Sequence, residues 1–532
     1  MKKRIRFFRK MAVMLATALL LSSTSFAAPK RGGDYIFPVG QFPPHFNAAI
    51  KSGTDLQTPA SRIFVGLVNI NEEWEAEPYL AKSWKISSDG MTYTFYLHEG
   101  TTFHDGKPVT SKDVAFSLNV TKKNHPFGPY MFGSVDRVET PDKYTVVFKL
   151  KKPHPALMIA LSLPLMPILP EHVYGEHNGP IRKNPANVKA IGSGPFKVAE
   201  YNPGKSYILE RFDKFLRPGQ PYFDRFIGKI VGSPSSALIA VKRGEISHLT
   251  VGDPQMLTRM RRDKSLFVTS RGTQGIGSLN YIEFNLRNKY LKDKRVRQAI
   301  AYAIDRDFIT QKLHRGLTRI STGPIHSSSP HYTDQVNPYK VNLEKANRLL
   351  DDAGYARGSD GMRFSLSMTY MPVPVIEHEH KMIAEYSKPQ LKKIGIKINL
   401  KAPADFMNWY MTLAKWKHDL TTSNYFSWGD PVIGVHRLFM STNIKHRVWT
   451  NTAGYVDKKV DALLNAAAVE NDVNKRKAIY AEFQKIVAED LPVYFTVEDA
   501  FYIGFNKELM NIKFGIFGPH YEQMYWKNGQ AP

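Results

Sequence analysis

The chain has 532 residues, 42% hydrophobic and 23% charged, with a formal net charge of +25 and no cysteine. That length supplies more than one core, because single cores seldom grow past about 250–300 residues. The missing cysteines exclude a disulfide framework, a thiolate metal site, a cysteine nucleophile and the lipid-attachment cysteine of bacterial lipoproteins.

The sequence opens with a basic stretch, "MKKRIRFFRK", followed by the apolar run "MAVMLATALLL" and the small-residue stretch "SSTSFAA". This is the layout of a secretory signal peptide, and Ser25-Phe26-Ala27 fits cleavage after Ala27. Residues 1–27 carry six Lys/Arg and no acid, which leaves +19 for the rest. No later stretch reaches the about 18 apolar residues of a membrane helix. A soluble chain exported into a Gram-negative periplasm is expected, without a lipid anchor. Its positive charge is dispersed, with local knots only at Arg259–Arg262 and Lys294–Arg297. A nucleic-acid binder would gather that charge into one stripe, so no nucleic-acid partner is expected.

Short β-rich runs alternate with amphipathic stretches, an α/β pattern without internal repeats. In "TYTFYLHEG", Tyr93, Phe95 and Leu97 share one face of a strand. The following "TFHDGKPVTSKDV" sets His104 beside Asp105, a pairing that suggests catalysis. Local rules explain it without chemistry. Asp105-Gly106 is a turn pair, Pro108 keeps Lys107 extended, and Thr110 with Asp113 has capping-box spacing before a helix. "KYTVVFKLKKP" reads as another strand, stopped at Pro153. "DKRVRQAIAYAIDRDFITQKLHRG" spaces Val296, Ile300, Ala303, Ile304 and Ile309 as one helix, with Gly316 as its stop. Asn342 caps a second helix that Gly354 ends. "EYSKPQLKKIGIKINL" is a helix passing into a strand through Gly395, and "FMNWYMTLAKW" an amphipathic helix. Two further helices meet near Asn471.

The sharper motifs fail. "IEHEHKMIAEY" places Met382 where a zincin needs its second histidine, and His378 and His380 could share a metal only if the segment were a strand. "NPGKSY" ends like a phosphate loop, but Ala199 replaces the first glycine. No Gly-x-Ser-x-Gly elbow occurs. No catalytic residue, metal or cofactor is expected.

From Leu80 to Asn119, "LAKSWKISSDGMTYTFYLHEGTTFHDGKPVTSKDVAFSLN" strongly resembles the family 5 extracellular solute-binding proteins, the dipeptide, oligopeptide and nickel-chelate receptors of ABC importers. The match includes Trp84, Ser88-Asp89-Gly90, Phe103-His104-Asp105-Gly106 and Asp113-Val114, with His98 where the family usually has Arg or Lys. "IGSGPFKVAEYNPGKSYILER", "IEFNLRNKYLKDKRVRQAIAYAIDR", "NLEKANRLLDDAGY" and "SWGDPV" follow in the family's order. The resemblance implies a two-lobed α/β periplasmic-binding-protein fold with an extra N-terminal domain. Lobe one would use residues 28–50, 189–275 and 490–532, the inserted domain 51–188, and lobe two 276–489. Closure of the lobes on a peptide or peptide-like solute is implied, with handover to a membrane permease. The alternatives are a metal chelate, haem or another organic solute, and a secreted hydrolase. A monomer that meets the membrane only through its importer is expected.

Peptide-binding members hold the ligand's α-ammonium with an aspartate three residues before the Asp-Pro pair. Here that position is Ser427, ahead of Asp430-Pro431. A shifted alignment makes Asp430 the amine ligand instead. With Ser427, a charge-assisted bond worth about 1.5–3 kcal/mol is lost. Tyr425, Phe426 and Trp428 would wall the cleft, Asn424 would bond ligand backbone, and Arg437 would pair a ligand carboxylate. Trp409 and Tyr410 are weaker candidates.

Overall fold

A computed structural model describes residues 29–231, 233–373, 376–499 and 501–532. The signal peptide read at residues 1–27 lies outside them. Helices and strands mix throughout, and four sheets carry most of the architecture.

Two sheets lie early in the chain. Asp34–Val39, Arg225–Ile230, Ser206–Arg211 and Phe196–Asn202 form one, in that order, with the first pair parallel and the others antiparallel. Ala81–Ile86, Thr92–Leu97, Thr145–Leu150 and Val135–Asp142 form an antiparallel sheet. Its second strand buries Tyr93, Phe95 and Leu97 and leaves their neighbours half-exposed, the period of two that the sequence shows. Helix Ser111–Asn124 follows the turn at Asp105-Gly106, and the Thr110 N–H donates to the Asp113 carboxylate at 2.8 Å. One continuous apolar cluster runs through both sheets and takes in Ile503, Phe505, Phe514 and Trp526 from the far end of the chain. The inserted segment thus has its own sheet but shares the core of the lobe that carries it.

The His104–Asp105 pair comes apart in the structure. The His104 ring bonds the Gly194 carbonyl at 3.1 Å, and its other nitrogen accepts the Gly192 N–H at 3.2 Å. Burial lowers its pKa to about 4, which keeps it neutral. Asp105 turns the other way, to His172 at 2.7 Å. The histidine fastens a turn to the glycine-rich strap at 192–194.

The third large sheet has six strands in the order Arg319–Ile320, Val493–Glu498, Ser278–Phe284, Leu420–Phe426, Phe364–Tyr370 and Ile396–Leu400. Its cores on either face are separate from the first cluster. A fourth sheet pairs Tyr502–Asn506 between His248–Val251 and Leu266–Thr269. The chain therefore crosses from one lobe to the other between Thr269 and Ser278, and back between Glu498 and Tyr502. The crossings touch: the Asp499 N–H donates to the Ser278 carbonyl at 3.1 Å.

Two expectations change, and one condition is not met. Val493–Glu498, given to lobe one by a boundary at 490, pairs with Ser278–Phe284 in the lobe-two sheet. The long helix after Asp293 is interrupted: Lys294–Ala303 ends, the Asp305 side chain caps a new start by accepting the Phe308 N–H at 2.8 Å, and a wide turn over Ile309–Leu313 follows. Aspartate at an N-cap competes with helix continuation, and here it wins. His378 and His380 lie on helix Glu377–Lys393, not on a strand. Residues two apart on a helix diverge, so His378 is exposed while His380 is buried.

Candidate ligand-binding site

Strand Leu420–Phe426 delivers the predicted residues to the crossing between the lobes. Beyond it, the Ser427 N–H donates to the Ile276 carbonyl at 2.8 Å, and its hydroxyl to the Gly277 carbonyl at 3.0 Å. Ser427 is thus tied to the first crossing segment. Gly434 must be glycine for this turn to close, since a Cβ there would lie 2.0 Å from the Ser427 carbonyl oxygen.

Asp430 caps helix Pro431–Gly434 by accepting the Val432 N–H at 2.9 Å. Its two oxygens also receive Arg476, at 2.7 and 2.8 Å, in a bidentate pair that is almost fully buried. Burial alone would raise its pKa, but the charge and hydrogen bonds of Arg476 outweigh that and hold the carboxyl far below the usual range. This weighs against the shifted alignment, because the charge of Asp430 is already neutralised by Arg476 and three of its acceptor positions are filled.

The other predicted residues are mostly structural. Tyr425 is buried, donates its hydroxyl to the Pro324 carbonyl, and packs near Tyr281 and Phe495. The Asn424 side-chain amide donates to the Ser278 hydroxyl at 3.1 Å, and the Asn424 backbone carbonyl accepts the Trp449 indole N–H at 3.0 Å. Arg437 neither faces solvent nor waits for a carboxylate. It donates to the Gly434 and Trp449 carbonyls at 3.0 and 2.6 Å and lies over the Phe127 ring at 4.8 Å. Burial lowers its pKa to about 10. Trp409 is a core residue whose indole donates to Thr421 at 3.0 Å, and Tyr410 packs beside Phe406. Trp428 joins the apolar cluster of the opposite lobe, with Phe127 at 6.2 Å, and Phe426 stands edge-on to it at 5.6 Å. Of the set, Ser427, Phe426 and Trp428 come together where the lobes meet.

An open cleft of about 110 Å3 lies alongside. Helix Thr54–Ile63, the segment around Ser162 and the loop at Gly515–Tyr521 line it, and Ile276 reaches it from the first crossing. Arg62 lies over the Tyr521 ring at 4.4 Å, 3.7 Å from Glu522.

Sequence reasoning missed a second polar group at the crossings. Asn280, second residue of its face on strand Ser278–Phe284, donates to Glu379 at 3.0 Å and also to Asp499. The Ser278 hydroxyl donates to the other Asp499 oxygen. Glu379 lies in the first turn of helix Glu377–Lys393, and burial, then the charge of Asp499, push its pKa well above the carboxylate range. The "EHEH" stretch had drawn attention to its histidines. Read as a helix, it turns the intervening acid toward the sheet end.

Residues 75–446 match the family described as bacterial extracellular solute-binding proteins, family 5 Middle. The chain belongs to this family. Among relatives, the dipeptide-binding protein of Escherichia coli K12 is 24% identical, covering 97% of this chain and 99% of its own. The family 5 fold is equally clear in solved structures. The oligopeptide-binding protein AppA from Bacillus subtilis, in complex with a nonapeptide, aligns with a TM-score of 0.79 at 25% identity, over 94% of this chain and 99% of that one. NikZ from Campylobacter jejuni, in complex with Ni(L-His), also aligns with a TM-score of 0.79, at 26% identity over 93% of this chain and 99% of that one. Family 5 membership assigns the two lobes to solute capture. Among the described residues, no helix is long and apolar enough to cross a membrane.

Proposed function

We propose that this chain is the periplasmic receptor of an ABC importer and captures peptides or peptide-like solutes by closing its two lobes. The family match over residues 75–446 is the observation that carries this reading. The double crossing between the lobes supports it, because a short paired linker is what a hinge requires. The solute lies between the lobes, with Phe426 and Trp428 as an aromatic wall and Ser427 beside the first crossing. Asn424, Tyr425, Asp430 and Arg437 shape that wall from behind. Binding energy favours the closed form, and a membrane permease recognises it. The receptor works as a monomer after removal of residues 1–27 and performs no chemistry on its cargo.

A second reading, a receptor for a metal chelate or other organic solute, is favoured by Ser427, which cannot supply the charge that fixes a peptide amine. Native mass spectrometry of the protein purified from its own host decides between them by the mass of the bound solute. That solute should raise the melting temperature of emptied protein and be recovered unchanged. Accumulation of a product in the mixture would contradict the receptor reading.

A further inference from the structure

Most buried carboxylates of this protein have a dedicated partner. Asp430 has Arg476, Glu283 has His418 at 3.1 Å and Thr452 at 2.8 Å, and Glu522 lies within 4 Å of Arg62, Arg217 and His520. Glu379 and Asp499 differ. Among the described residues neither has a lysine or arginine in ion-pair range, and the one basic group in that range of Glu379 is His314 at 3.6 Å. The neighbouring Glu498, also buried, likewise has only a histidine in that range among the described residues, His326 at 3.8 Å, so the acids gathered here lack the arginine that Asp430 has.

Their surroundings are built to hold them. Asn280 donates to both carboxylates, and Ser278 to Asp499. Two further groups remain unmatched. The Asn280 side-chain oxygen is fully buried and accepts no hydrogen bond, and His314, 6% exposed, points an unpartnered Nε2 at Glu379. A buried acceptor left empty beside two carboxylates is costly without a donor to fill it. Glu379 nevertheless keeps 20% of its side chain accessible, so the pair can be reached from outside. Its location is also telling: Ser278 and Asp499 stand on the two chain crossings between the lobes.

We infer that Glu379 and Asp499, braced by Asn280 and Ser278, form the subsite that takes the cationic nitrogen of the solute, an ammonium or guanidinium group. The subsite supplies the charge that Ser427 lacks. Because both crossings contribute to it, the bound cation draws the hinge segments together. The other titratable group facing the pair is His314; His378 and His380 flank Glu379 in sequence on its helix, one exposed and one buried. Glu498 with His326 at 3.8 Å lies next along the strand, where Arg319 acts on it. Burial lowers the pKa of His314 and takes that of His380 to about 3, so neither supplies a standing positive charge.

This inference rests on the receptor reading above and is tested with three tripeptide pools on the mature protein, followed by melting temperature and competition binding. The first pool has free N-termini and neutral side chains. The second is N-acetylated with neutral side chains, and the third is N-acetylated and contains one Lys or Arg. Binding of the first or third pool, but not the second, is expected, and whichever binds identifies the source of the cation. Glu379→Gln and Asp499→Asn should each weaken that binding at least tenfold while the unliganded proteins melt no lower than wild type. Equal binding of the neutral acetylated pool, or unchanged binding in both variants, overturns the inference and leaves the receptor reading standing. If no pool raises the melting temperature, the peptide reading falls with it.

Discussion

Two carboxylate sites lie near the same end of the lobe-two sheet, and they solve burial in opposite ways. Asp430 is matched by Arg476 through two short bonds, and charge and geometry are complete without a ligand. Glu379 and Asp499 are matched only by neutral donors and by each other, and burial together with the charge of Asp499 holds the proton on Glu379. The first arrangement is that of a structural strut. The second stores unfavourable electrostatics that a cation would relieve, the usual trade of stability for binding. Proximity to the Asp-Pro turn therefore says little about which acid meets the solute; the missing counter-charge says more.

Breaking the strut should produce the largest effect. Arg476→Met leaves Asp430 buried and unpaired, and denaturant unfolding should show a loss of about 3–5 kcal/mol at pH 7. The sign with pH follows from the depressed pKa of Asp430. Its stabilisation is present above the unfolded carboxyl value near ~4 and is lost as pH falls further, toward the folded value. The variant should lose that acid-dependent part of its stability. If wild type and Arg476→Met unfold alike at pH 7, the strut has been misassigned.

Relieving the strained pair should act in the other direction. Glu379 has a raised pKa, so its cost is absent below the unfolded glutamate value near ~4.3 and grows as pH rises toward the folded value. Glu379→Gln should therefore stabilise the unliganded protein by about 0.5–2 kcal/mol near pH 8 and leave it unchanged near pH 4. Melting curves across that range check it, and a flat difference between the two proteins would contradict the account.

Two sites remote from both carboxylates set the scale. Thr110→Ala removes one side of the cap on helix Ser111–Asn124 and should cost about 1 kcal/mol by denaturant unfolding. Asp105→Asn breaks the half-exposed contact with His172 and should cost less than about 1 kcal/mol. A loss of solute binding in Asp105→Asn would revive a functional role for the His104–Asp105 turn.

Much of the fold was legible because its signals are local. Tyr93, Phe95 and Leu97 alternate, Asn342 accepts the Lys345 N–H at 2.8 Å as a cap, and Gly395 adopts the positive φ that turns helix into strand. The break at Asp305 was missed because apolar spacing continues through it, while the capping side chain that stops the helix is a single residue. The boundary at 490 failed for a different reason. Strand Val493–Glu498 is buried throughout, and nothing in its own residues says which sheet it will join. The site was least legible. Ser278, Asn280, Glu379 and Asp499 are separated by up to 221 residues in pairs that bond directly. No spacing rule reaches that far, and only the fold brings them together. Family resemblance pointed instead to residues 424–437, where most polar groups turn out to hold the turn in shape.

The most direct test is calorimetric titration of a binding free-amine tripeptide near pH 7, repeated in buffers of different ionisation enthalpy. If Glu379 keeps its proton until a cation arrives, binding should release protons, and the release should vanish in Glu379→Gln but persist in His314→Gln. Heats independent of buffer, or a release that survives Glu379→Gln, would contradict the account.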